Sequence, residues 1–147
     1  MVKKILEDQE EEEEDKNPLP WPMLDILNTT QTKFTLSKSK LVEIKDHILG
    51  KEYDLSIVVV GEKKIQNLNK QFRNKDYATD VLSFPLEEAA GEIFFNQKVA
   101  SKKSIEFEMT VQKYFYFVLI HSMLHLKGYD HGKEMESQEE SLMKKFL

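Results

Sequence analysis

Apolar residues recur along this chain in two periods, and the change between them sets the predicted elements. Phe34 and Leu36 alternate with polar neighbours, which predicts a first strand. Ser37 or Ser39 is placed to cap a helix with apolar face Leu41, Ile44 and Ile48, ended by Gly50. Leu55 to Val60 is rich in β-branched residues and bounded by Asp54 and Gly61, which predicts a strand. Ile65, Leu68 and Phe72 return to helical spacing over Glu62 to Phe72. Two short strands follow: Val81 to Phe84, stopped by Pro85, and Ile93 to Phe95, opened by Gly91. A helical region from about Asn96 is broken near Glu108 to Thr110, and a long apolar helix then reaches Leu126. An amphipathic helix covers Lys133 to Phe146.

The order β-α-β-α-β-β-α-α predicts an α+β fold. A small mixed sheet of about four strands would pack on several helices, with one apolar helix near the centre. A chain of 147 residues suffices for one domain with a real core. We place that domain at residues 23–147, behind an acidic, proline-containing tail at 1–22. The tail reads as solvated chain, an interaction arm being the alternative. Asn17 to Pro22, with three prolines around Trp21, reads as extended.

Charge alters this picture only through its distribution. The net charge is −5, yet residues 1–16 hold three lysines against eight acids, leaving 18 basic and 18 acidic residues in the rest. A neutral body still permits a local basic groove. Cysteine is absent, which excludes disulfides and thiolate metal sites and suits a reducing compartment. The longest apolar run, Tyr114 to Ile120, is far shorter than the roughly 20 residues a bilayer span requires. A soluble, cytoplasmic protein without a membrane partner is expected.

The chemistry is concentrated in His121-Ser-Met-Leu-His125-Leu-Lys-Gly-Tyr-Asp-His131. Residues four apart on a helix share a face, so His121 and His125 can turn their imidazoles toward one ion. Gly128 is placed to end that helix, and the chain can then return His131 to the same point. Three neutral imidazoles leave a fourth tetrahedral position for water, the pattern of a catalytic zinc ion, although nickel, copper or iron would accept the same donors. A single histidine in such a helix would read as core; three at this spacing read as metal ligands. His47, on another helix, reads as surface. Ser122 stands where zinc proteases of the H-E-x-x-H type carry their glutamate base, which argues against peptide hydrolysis by that mechanism. Asp130, beside His131, is a candidate for orienting a ligand, or a turn residue.

A second segment runs from Arg73 to Pro85. Guanidinium is permanently charged and grips phosphate through paired hydrogen bonds, so Arg73 is a candidate phosphate anchor. Spacing alone favours the plainer reading, in which Arg73 is a helix-terminal cation, Thr79 and Asp80 are turn residues and Ser83 is a strand position.

Together these segments resemble the YbeY family of metal-dependent endoribonucleases. The matching stretches are Leu68-Asn69 through Phe72-Arg73, Thr79-Asp80-Val81-Leu82-Ser83-Phe84-Pro85, Gly91-Glu92-Ile93 and His121 to His131, with Met135, Glu136 and Glu139 of the last helix. The resemblance covers about residues 35–147. It implies zinc at His121, His125 and His131, a functional role for Arg73, and cleavage of RNA during maturation and quality control of the small ribosomal subunit. Three positions depart from the family pattern: Ser122 for glycine, Glu92 for aspartate, and Lys127 at a usually apolar place. Single-stranded RNA is the expected substrate, because a small site reads splayed strands more readily than a narrow A-form groove. A small-subunit ribosomal protein is a further expected partner, and DNA is not expected. Two rivals share the metal: a zinc amidase or esterase acting on small substrates, and a non-catalytic ribosome-assembly factor with a structural ion.

Overall fold

The computed structural model describes residues 22–147; the acidic stretch and the predicted extended segment, all but its last residue Pro22, lie outside the described residues. Four strands, β1 (Leu24–Asn28), β2 (Asp54–Val59), β3 (Val81–Glu87) and β4 (Ala90–Phe95), form one sheet in the order β1-β2-β4-β3. Pairs β1·β2 and β2·β4 are parallel, and β3·β4 is antiparallel, so the sheet is mixed as expected. The described helices are α1 (Lys38–Leu49), α2 (Glu62–Arg73), α3 (Gln97–Glu106), α4 (Val111–Lys127) and α5 (Lys133–Phe146).

Two expectations are corrected. The first strand is Leu24–Asn28, not Phe34 to Leu36. Phe34 and Leu36 owe their apolar character to packing outside the sheet: Leu36 is buried, and the Phe34 ring meets Phe95 edge-on at 6.3 Å. The third strand runs through Pro85 to Glu87. Proline lacks a ladder donor, but β3 is an edge strand and its register shifts between Pro85 and Glu87, so no central hydrogen bond is lost.

Local signals account for the helix ends. The Ser37 hydroxyl accepts from the Lys40 amide at 3.3 Å, and Thr110 caps α4 by accepting from Lys113 at 3.2 Å. Gly128, at φ 115°, closes α4 by donating its amide to the His125 carbonyl at 3.0 Å. The break between α3 and α4 is a turn at 107–110, with Glu108 left-handed at φ 54°.

Helix α4 buries Phe115, Leu119, Ile120 and Met123 among others and is apolar around most of its girth, as a helix covered on several sides must be. It packs on α1, α3 and β3. Gly91 lets its C-terminal end approach the sheet, since a β-carbon there would run into the Tyr53 hydroxyl and the Leu126 side chain. The principal core therefore lies between α4, α1 and the sheet. A smaller cluster of Val60, Ile65 and Leu82 sits under α2. No helix among the described residues is long and apolar enough to cross a membrane.

Candidate metal centre

The C-terminal half of α4 and the turn behind Gly128 bring His121, His125 and His131 together, with one ligand atom from each lying within 4.8 Å of the other two. Ring centroids are separated by 4.6 Å (His121–His125), 4.6 Å (His125–His131) and 5.2 Å (His121–His131). His121 Nε2 and His125 Nε2 face each other at 3.1 Å. Two nitrogens bound about 2.0–2.1 Å from one tetrahedral ion would stand about 3.3 Å apart. The donor set fits a divalent ion.

The opposite ring nitrogens are occupied. His125 Nδ1 lies 3.0 Å from the Tyr129 carbonyl, an acceptor, so the proton belongs on Nδ1 and the Nε2 lone pair is free. His121 Nδ1 stands 3.5 Å from Glu139 Oε2, which favours the same tautomer. Two facing lone pairs at 3.1 Å repel unless a cation lies between them. Burial lowers the pKa of both His121 and His125, which holds them as the neutral species a metal requires. Burial, and then the Glu136 charge, raises that of Glu139.

The three histidines flank a cleft of about 800 Å³ whose other wall is the end of α2, the following loop and β3. Arg73 lines it, exposed, donating from Nη2 to the Ser83 carbonyl at 3.0 Å with its guanidinium carbon 5.0 Å from the Phe84 ring centre. The buried Asn69 pins the loop by donating to the Tyr77 carbonyl at 2.9 Å. Asp130 is exposed in the turn, and the partners of the spare ring nitrogens are Tyr129 and Glu139 instead. His47 is exposed and meets Phe146 edge-on at 5.5 Å. Lys127 is likewise exposed, so its charge is not buried, whereas Ser122 is buried in α4.

The sequence suggested no site role for Glu139, which entered only as a matching position, or for Asp80, which read as a turn residue. Glu139 falls in the apolar phase of α5 between Met135 and Leu142, and an acid at that phase was the available signal. Asp80 is buried and accepts from the Tyr114 hydroxyl at 2.9 Å and from Lys103 Nζ at 3.3 Å. It is a cross-link between β3, α3 and α4 rather than a plain turn residue.

The family model described as Endoribonuclease YbeY matches residues 25–147. Endoribonuclease YbeY of Clostridioides difficile is 35% identical over 144 residues, covering 82% of this chain and 94% of that protein. That of Nautilia profundicola is 38% identical over 130 residues, covering 84% and 91%. That of Alkaliphilus metalliredigens is 39% identical over 99 residues, covering 60% of this chain and 64% of that protein. The solution structure of TM1509 from Thermotoga maritima matches with a TM-score of 0.63 at 35% identity, covering 84% of this chain and 88% of that one. On fold, motifs and these matches together, the chain belongs to the endoribonuclease YbeY family.

Proposed function

We propose that this protein is a metal-dependent endoribonuclease that cuts single-stranded RNA, with zinc as its ion, held by His121, His125 and His131. The observation carrying the reading is the pair of Nε2 atoms 3.1 Å apart whose Nδ1 partners are already taken. A divalent ion bound there supplies Lewis-acid polarisation of a phosphoryl oxygen and of water. The chain's own groups do the rest. The Tyr129 carbonyl and Glu139 hold the rings in their metal-binding tautomer. Arg73 lines the cleft, and a scissile phosphate entering it would be gripped by the guanidinium and its developing charge stabilised.

Cations on the cleft rim, Arg73 and Lys75, suit a polyanion better than a small ester or amide. The family resemblance extends the reading to ribosomal RNA of the small subunit, in the cytoplasm, with a small-subunit ribosomal protein as partner. His125→Ala separates an enzyme from an assembly factor with a structural ion when metal content, thermal unfolding and RNA cleavage are measured on one preparation. Lost metal and lost cleavage in a folded protein support the nuclease. Undiminished cleavage by the folded, metal-free variant refutes it. A 2′-deoxy residue at the cut site then distinguishes attack by the RNA's own hydroxyl from attack by water.

A further inference from the structure

The cleft has a feature that phosphate and metal chemistry do not use. Phe107, in the turn between α3 and α4, lines it and is 52% exposed. A half-exposed phenyl ring forgoes part of the stabilisation that full burial would give, so its position calls for an explanation. The ring is held there. Glu108 adopts a left-handed φ of 54°, and the turn is tied by Phe107 N–H to the Lys103 carbonyl at 3.1 Å and Met109 N–H to the Ser104 carbonyl at 3.0 Å.

Behind Phe107 stand two further rings. Tyr114 lies 5.3 Å away at 38° and Phe117 6.2 Å away at 40°, and these two are 5.9 Å apart. The Tyr114 hydroxyl is fixed by Asp80, whose other oxygen binds Lys103. Tyr114 and Phe117 share the cleft-facing stripe of α4 with His121 and His125. At 1.5 Å rise per residue, Phe117 is about 6 Å along the helix from His121. A rigid aromatic face with a cation beside it, one helical turn from the metal ligands, matches what an unpaired nucleobase needs. Bases stack on aromatic side chains while neighbouring phosphates meet lysine or arginine.

We infer that Phe107, backed by Tyr114 and Phe117, is a stacking platform for one unpaired nucleobase of the RNA next to the cut phosphate. The inference rests on the nuclease reading and deepens it: a base must be unstacked to reach this ring, so the platform selects single strands over duplex.

The test uses the full-length, metal-loaded protein and a short single-stranded RNA, with binding followed by stopped-flow fluorescence before cleavage and cleavage followed in single turnover. Phe107→Ala and Phe107→Leu weaken binding about 5- to 100-fold, and Phe107→Trp retains it. Metal content and thermal unfolding stay as in the unaltered protein. An abasic ribose at one position of the RNA costs the unaltered protein the same factor and costs Phe107→Ala nothing more. If Phe107→Leu binds as tightly as phenylalanine, or if the abasic penalty survives in Phe107→Ala, the platform is overturned and the ring is left to a protein contact. Unaltered protein that cleaves RNA while all Phe107 variants behave alike overturns the platform alone; unaltered protein that neither binds nor cleaves RNA overturns the nuclease reading beneath it.

Discussion

Helices α4 and α2 face each other across one cleft, yet they are secured very differently. Helix α4 buries nine of its residues against α1, α3 and the sheet, and it carries two of the three histidines. Helix α2 buries only Ile65 and Asn69, over a cluster of three buried residues, and its last residue is Arg73. The difference follows the demands of the chemistry. Metal ligands must converge within a few tenths of an ångström, which a close-packed helix enforces. A guanidinium on an exposed stem tolerates adjustment while it finds a phosphate. On the proposed reading, the same fold gives a rigid clamp on one wall and a compliant anchor on the other.

The largest effects that would sharpen this contrast concern stability. Leu119→Ala should cost about 4 kcal/mol by urea denaturation and weaken metal binding too, because the cavity opens beside the histidine-bearing helix. Ile65→Ala should cost about 2–3 kcal/mol, since its thin surroundings can relax, and should leave metal affinity unchanged. Equal losses of metal affinity would erase the distinction between the walls. Arg73→Lys should lower the single-turnover cleavage rate by about 100-fold with full metal occupancy, since an ammonium cannot reproduce paired phosphate contacts. A fall in metal content in that variant would mean that the anchor and the clamp are not separate.

Much of this was legible in the sequence, and the failures have physical reasons. The histidine spacing, Gly128 and the apolar run before them foretold the convergence of the three rings, because helical period and a left-handed stop are local properties. The first strand was misplaced because Phe34 and Leu36 show the alternation of a strand while packing as irregular chain, whereas the true edge strand leaves Leu27 52% exposed. Asp80 was undervalued because its partners Tyr114 and Lys103 lie 34 and 23 residues away, and only the fold brings them together. Glu139 carried a signal, an acid in an apolar phase, that gains meaning once α5 is seen against His121.

Smaller effects test the orienting contacts. Glu139→Gln should weaken metal affinity about 10- to 100-fold by competition with a chelator, with the fold retained, because the carboxylate beside His121 Nδ1 makes that ring a better donor. The pH dependence follows from His121 and His125, whose pKa values burial holds below the ordinary 6.5. The unfolded chain protonates these rings first, so the metal-free protein should lose stability as pH falls through about 6.5 toward the lowered values. By the same sign, bound metal should persist to lower pH than unperturbed histidines would allow, which a pH titration of metal content checks. Loss of metal already above pH 6.5 would contradict the burial argument.

Zinc-edge X-ray absorption on the zinc-loaded protein and on His131→Ala examines the convergence of the three rings most directly. The expected spectrum has one ion per chain with three imidazole nitrogens at about 2.0–2.1 Å, falling to two in the variant. A shell lacking imidazole scattering, or one unaltered by the loss of His131, would contradict it.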